Sequence, residues 1–174
     1  MGARVSAVGA VVALGSNLGD RAAHLQDAVD ALADAGVVAV SAVFETAPVG
    51  GPEQPDYYNA IVLLQTQLSP TELLALAHRI EDAAVRERTQ RWGPRTLDVD
   101  VVSYGDVRSD DPDLMLPHPR AHERAFVLAP WLDADPHAQL DGRGAVSGLL
   151  ATLDHSGVRR LAEPVLRLPE GSGT

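Results

Sequence analysis

The stretch from Tyr57 to Thr66 (YYNAIVLLQT), followed by Gln67-Leu68 and then Ser69-Pro70-Thr71-Glu72, decides the fold. Its first ten residues are aromatic, β-branched and apolar, and read as a strand. Ser69-Pro70-Thr71-Glu72 is a capping box with proline at the first helical position, so a helix starts there and is expected to run to about Ala84 or Arg86. Upstream, Val8 to Leu14 (VGAVVAL) reads as a buried strand ending in the turn Gly15-Ser16-Asn17-Leu18-Gly19. Asp20 is an N-cap for a helix from Arg21 to about Ala35. Leu25, Ala28, Val29 and Leu32 share one face of it, and Gly36 stops it. Val37 to Thr46 has the β-branched content of a second strand, and Thr96 to Tyr104 (TLDVDVVSY) forms a fourth. The order strand, helix, strand, strand, helix, strand is that of a split βαβ unit. It predicts an α+β, ferredoxin-like α/β sandwich with an antiparallel sheet.

Two loops interrupt these elements. Residues 47–56 (APVGGPEQPD) hold Gly50, Gly51, Pro48, Pro52 and Pro55, and Glu87 to Arg95 is polar and ends at Gly93-Pro94, where no helix continues. Asp110-Asp111-Pro112-Asp113 marks a surface turn, and Pro117 to Glu123 a loop. Short helices are expected over Ala125–Leu132 and Val146–Leu153. Residues 1–169 are expected to form one domain and 170–174 a disordered tail.

The chain has 174 residues, of which 45% are apolar and 22% charged, as in ordinary globular proteins. No apolar run is long enough to span a bilayer, and Met1-Gly2-Ala3-Arg4 opens no signal-peptide pattern, so a cytoplasmic monomer without membrane contact is expected. With no cysteine, thiolate metal sites and cysteine nucleophiles are excluded. A formal charge of −10 disfavours nucleic acid as a partner. Every basic residue is nevertheless arginine, and Arg79, Arg86, Arg88, Arg91 and Arg95 cluster tightly, as an anionic ligand would require. A solvated helix end is the plainer reading of the same cluster.

Asp98 and Asp100 are two apart in a strand, so both point to one face, with Cβ atoms roughly 7 Å apart. Leu97, Val99 and Val101 take the other face. Adjacent carboxylates repel unless solvated, protonated or bridged by cations, and such oxygen ligands suit magnesium bound to a polyphosphate. An isolated D-x-D also suits a solvated edge strand. Here the arginine cluster and the Gly-Pro turn immediately upstream weigh toward a ligand site.

The run Arg91-Trp92-Gly93-Pro94-Arg95-Thr96-Leu97-Asp98-Val99-Asp100 resembles the signature of the 6-hydroxymethyl-7,8-dihydropterin pyrophosphokinase family. Four further segments agree in order and spacing: Gly15 to Gly19, Gln54 to Asn59, Arg86-Glu87-Arg88, and Leu116-Pro117-His118 through Arg124-Ala125-Phe126. The matches span about residues 8 to 132.

This resemblance implies transfer of pyrophosphate from ATP to the hydroxymethyl oxygen of the pterin, with release of AMP. By position it implies that Asp98 and Asp100 hold two Mg2+ ions and that Arg86 and Arg95 act on the triphosphate as catalytic groups. Arg88, Val101, His118 and Arg124 would join Arg86 and Arg95 in the ATP site. Thr46, Pro48, Val49, Tyr57, Asn59, Trp92 and Phe126 would bind the pterin, with Val49, Gly50 and Trp92 in lids. Tyr57 and Asn59 share a strand face, which puts an aromatic platform beside an amide that both donates and accepts. His118 and His122 are spaced as zinc ligands on a helix, but Pro119 lies between them and zinc is not expected.

The sequence departs from the family pattern at Val85, usually glycine, at Ala47, often proline, and at His78, glutamine in some relatives. Two other classes compete. A nucleotidyltransferase would pair a Gly-Ser turn with D-x-D, but 82 positions separate Ser16 from Asp98. A non-catalytic ferredoxin-like binding module would leave the paired acids unexplained.

Overall fold

The computed structural model describes residues 6–48, 53–86 and 96–171, the side chain of Arg86 excepted. Its elements are β1 (Val8–Ser16), α1 (Arg21–Ala31), β2 (Val37–Val40), β3 (Phe44–Thr46), β4 (Tyr57–Thr66), α2 (Pro70–Arg86) and β5 (Asp98–Tyr104). There follow β6 (Ser109–Asp111), β7 (Leu114–Leu116), α3 (Ala125–Ala134), β8 (Gln139–Leu140), β9 (Gly144–Ala145), α4 (Val146–Ala151) and β10 (Val158–Arg160). The main sheet runs β10-β3-β4-β1-β5, with β2 also paired to β4, and every pairing is antiparallel. Strand β4 sits between β1 and the strands that follow α1, which is the split βαβ order expected from the sequence.

Local signals account for the helices. The Asp20 carboxylate accepts the Ala23 N–H at 3.0 Å, closing the first turn of α1. At α2 the capping box is reciprocal: Ser69 N–H donates to Glu72 Oε1 at 3.0 Å, and Glu72 N–H donates to Ser69 Oγ at 3.2 Å. Helix α1 ends sooner than the apolar spacing implies, at Ala31, and a 3-10 turn over Ala33–Ala35 completes the segment. Gly36 then turns the chain at φ 90°, and a Cβ there would stand 2.1 Å from the Gln65 carbonyl oxygen. Only glycine fits such a conformation and such an approach.

The two sheet faces are covered differently. On one, Leu14, Leu25, Leu32, Leu64, Leu73, Val99 and Val101 form the core with α1 and α2. On the other, Val11, Ile61 and Val102 pack under Leu128, Trp131 and Val146 of α3 and α4. A bulge in β5 between the pairings of Val11 and Val12 shifts the register, so that Tyr104 rather than Ser103 pairs with Ala10 and joins Val101 in the core beneath α1 and α2, while Val102 is buried in the other. No helix of the described residues is long and apolar enough to cross a membrane.

Several expectations are corrected. The segment Val37 to Thr46 is two short strands, because at the break side chains replace ladder partners. Ser41 Oγ accepts the Ile61 N–H at 2.8 Å, and Asp133 of α3 accepts the Ala42 N–H at 2.7 Å. The surface turn expected at 110–113 is the exposed tip of the β6–β7 hairpin, turning at 112–113, while the 117–123 loop contains a 3-10 turn at Ala121–Glu123, and α3 and α4 end at Ala134 and Ala151. Strands β8, β9 and β10 have no sequence signal: they are two or three residues long, and β10 exists only because β3 offers it an edge. Glu170 and Gly171 form a turn, and 172–174 lie outside the described residues.

Replacing Gly36 by alanine is expected to lower stability in urea unfolding by more than about 1 kcal/mol, while Ser69→Ala loses about 1 kcal/mol.

Candidate active site

The site begins where β1 ends. Gly15 pairs with Asn59 of β4 on one side and Asp98 of β5 on the other, and Ala13 pairs with Ile61 and Asp100. Directly opposed residues of an antiparallel pair present their side chains to the same face. Two small residues therefore form a floor, with an amide on one flank and two carboxylates on the other. Two strand spacings separate Asn59 from Asp98, about 10 Å. A Cβ on Gly15 would meet Asn59 Oδ1 at 3.2 Å, so glycine keeps this amide approachable.

Helix α3 covers only part of this face, and beyond its start a cavity of about 240 Å³ stays open. Tyr57, Asn59 and Thr46 form one wall, Asp98 and Asp100 the other, and Arg124, Phe126 and Val127 the third. Buried Asn59 is held by a 2.7 Å hydrogen bond from its Nδ2 to Thr46 Oγ1, which fixes the amide orientation and turns Oδ1 toward Gly15. Ala47 and Pro48 complete the rim. Below, Ser16 Oγ donates to the Thr96 carbonyl at 2.6 Å, tying the end of β1 to the residues that lead into β5. Asn17 Nδ2 donates to Gln54 Oε1 at 3.0 Å, tying it to those that lead into β4.

A second cavity of about 290 Å³ opens against the outer edge of β5. Val101, His78, Leu74 and Glu81 line it, with residues 112–115 of the hairpin and His118 opposite. Asp100 borders both cavities. It is exposed, and its carboxylate is in no hydrogen bond or ion pair seen among the described residues. The edge itself is partly occupied: Glu81 Oε1 accepts the Val99 N–H at 2.8 Å, and the His118 N–H donates to the Val102 carbonyl at 2.8 Å. That second bond is what brings His118 to Asp100 across a separation in sequence. Burial, reinforced by Arg124 and Arg120, holds the imidazole below its usual value of 6.5, and Asp100 opposes this only in part. His118 is therefore neutral at pH 7. Its Nδ1 accepts the Arg120 N–H at 3.2 Å, so the ring proton sits on Nε2.

The structure thus brings Thr46, Pro48, Tyr57, Asn59, Phe126, Arg124, Asp98 and Asp100 around one cavity and Val101 and His118 around its neighbour. The Val101 side chain itself belongs to the core beneath α1 and α2. Val49, Arg88, Trp92 and Arg95 lie outside the described residues, as does the side chain of Arg86. Val85 continues α2 as an exposed helical residue, and His78 lines the second cavity. The sequence gives no sign of Ala13, Glu81, Leu114 or Met115 at a site, and Pro112 and Asp113 read only as part of a surface turn. Of the two small floor residues, Gly15 had a visible signal as the start of Gly15 to Gly19, although it lies in β1.

Two carboxylates are the acidic donors at this position, and no group of three or more histidine or acidic side chains able to hold a metal occurs among the described residues. Magnesium is commonly held by one or two carboxylates with the rest of its shell from water and phosphate, so this donor set fits it.

Comparison with known proteins shows which family the chain resembles. The family model described as 7,8-dihydro-6-hydroxymethylpterin-pyrophosphokinase matches residues 11–136. The chain is 45% identical over 179 residues to the 2-amino-4-hydroxy-6-hydroxymethyldihydropteridine pyrophosphokinase of Mycobacterium leprae, covering 93% of each. It is 40% identical over 153 residues to the Bacillus subtilis protein of the same name, covering 86% of this chain and 88% of that one. Among solved structures, the wild-type HPPK-DHPS of Plasmodium falciparum superposes with a TM-score of 0.66 at 14% identity, over 83% of this chain and 44% of that larger one. At that identity the likeness speaks to the fold alone.

The state of His118 predicts a pH dependence. Because its folded pKa lies below the unfolded value, its contribution to stability is intact above pH 6.5 and is lost as the pH falls through that value toward the folded pKa. Urea titrations from pH 7.5 to 5 should show a smaller acid-side loss for His118→Gln than for the parent protein.

Proposed function

This chain belongs to the 7,8-dihydro-6-hydroxymethylpterin-pyrophosphokinase family and transfers pyrophosphate from ATP to the hydroxymethyldihydropterin of folate biosynthesis, and on that premise we propose how its residues divide the work. The observation that carries the proposal is the position of Asp100 on the border of two cavities. The pterin occupies the cavity walled by Tyr57 and Asn59, the nucleotide lies along β5 in the other, and its phosphates cross at the two acids.

The flat heterocycle stacks between Tyr57 and Phe126, while Asn59 and the main chain near Thr46 and Pro48 read its polar edge. By the family resemblance, Trp92 and Val49 would add further pterin contacts. Val101 borders the nucleotide through its main chain. Arg86, Arg88, Arg95 and Arg124 donate to phosphate oxygens, for which the guanidinium fork is suited. Neutral His118 donates through Nε2–H, which needs no change of charge when the phosphates arrive.

In the reaction the hydroxymethyl oxygen attacks the β-phosphorus, its proton leaves, and the bond from that phosphorus to the α,β-bridging oxygen breaks, releasing AMP. Magnesium, which Asp98 and Asp100 would hold as two ions, supplies charge neutralisation at the phosphates. The protein's own share is to fix both substrates, to exclude water through its loops, and to set Arg86 and Arg95 against the charge that shifts to the leaving oxygen. Both substrates are small soluble metabolites, so a cytoplasmic monomer suffices.

Incubation with Mg-ATP and 6-hydroxymethyl-7,8-dihydropterin is expected to yield AMP and the pterin diphosphate; ADP or a nucleotidyl adduct would overturn the assignment. Asp98→Ala and Asp100→Ala should each lower kcat by about a hundredfold or more with an unchanged Tm, and normal turnover in both would reject the metal role.

A further inference from the structure

Arg21 is the first residue of α1, a position that ordinarily favours acidic side chains because the helix dipole is positive there, and the first turn supplies no acidic residue to compensate. The Asp20 carboxylate just before it is engaged by the Ala23 N–H. Local helix chemistry therefore gives no reason for an arginine at this position, and the reason lies in its tertiary contacts. The guanidinium carbon stands 3.8 Å from the centre of the Tyr58 ring. Nη1 donates to the Asp56 carbonyl at 2.8 Å and pairs with Glu45 Oε2 at 3.4 Å, while Arg159 of β10 binds the other oxygen of Glu45.

These contacts fall behind the first cavity. Glu45 and Tyr58 are directly opposed on β3 and β4, and the next opposed pair is Thr46 and Tyr57. Side chains alternate along strands, so Thr46, Tyr57 and Asn59 face the cavity while Glu45 and Tyr58 face away from it. One planar cation thus grips, from the back, the strand pair whose front is the cavity wall. It also holds the Asp56 carbonyl, immediately before β4 begins. Asp56 follows the Pro- and Gly-rich segment, so this bond fixes where a loop becomes a strand.

We infer that Arg21 is a positioning residue for the pterin wall, holding Thr46, Tyr57 and Asn59 in register from the opposite face of the sheet. This rests on the reading that the first cavity takes the pterin. The planar fork is essential, since it stacks on Tyr58 while one nitrogen serves both Asp56 and Glu45. Lysine offers a point charge without that shape. The nucleotide cavity lies across the sheet at β5 and does not share the contact.

The experiment compares equilibrium binding of 6-hydroxymethylpterin and of a non-hydrolysable ATP analogue, with KM for both substrates, in the full chain carrying Arg21→Ala, Arg21→Lys or Asn59→Ala. Both Arg21 variants should weaken pterin binding by about tenfold and leave the ATP analogue within about twofold. In a Tyr58→Leu background, Arg21→Ala should add much less than it does alone. Equal loss for both ligands would reduce Arg21 to a general stabiliser, and no loss would remove it altogether; each overturns the inference. If Asn59→Ala weakens pterin binding while the Arg21 variants do not, only the inference falls. If Asn59→Ala leaves pterin binding unchanged, the cavity assignment falls and takes the inference with it. Should Arg21→Ala fail to fold, the Arg21→Lys and Tyr58→Leu proteins decide the matter by the same ratio of pterin to nucleotide loss.

Discussion

Gly15 lies between Asn59 on one neighbouring strand and Asp98 on the other, and the space left by its missing side chain joins the two halves of the site. A methyl group there would approach the Asn59 amide oxygen to 3.2 Å, closer than most side-chain carbons come to a neighbour. With Ala13 one step along the same face, β1 contributes a floor and no walls. The walls come from β4, β5 and the start of α3. A central strand is the stiffest place for such a floor, because both of its edges are already paired.

The asymmetry of the two sheet faces follows from where apolar residues end. Beneath α1 and α2 the core includes Leu14, Val99 and Val101, so that face is filled as far as the strand termini. On the other, Val11, Ile61 and Val102 lie under α3 and α4, and further along the same face stand Ala13, Asn59, Asp98 and Asp100. Apart from Tyr57, no large apolar strand residue remains there for a helix to bury, and α3 begins beside it at Ala125. The open cavity is the part of the sheet whose side chains, Tyr57 excepted, are polar or small.

Charge is distributed to the same end. The chain as a whole is strongly acidic, yet the acids that face the cavity are met by Arg124 and by a histidine that burial keeps neutral. A neutral donor beside Asp100 costs less to bury than a second cation and would still be able to donate to an anionic ligand. The edge of β5, which would otherwise present free N–H and carbonyl groups, is occupied at two points by Glu81 and the His118 main chain. The same contacts that protect the edge set the second cavity against it.

Read alone, the residue order determined what local chemistry can encode. The capping box at Ser69, the cap at Asp20, the stop at Gly36 and the alternation around Asp98 each act within a few residues, and their order specified the split βαβ sandwich. The facing of Asp98, Asp100, Tyr57 and Asn59 followed from strand period, and the run from Arg91 to Asp100 supplied the family. Only the tertiary structure decided that Gly15 bridges the amide and the acids, that His118 reaches Asp100 through the Val102 carbonyl, and that Arg21 braces β4 from behind. Each of these depends on strands or turns brought together from distant parts of the chain. The very short strands β8, β9 and β10 were invisible for the same reason, since a two- or three-residue strand has no periodicity of its own and exists only where a partner edge or turn supplies its hydrogen bonds.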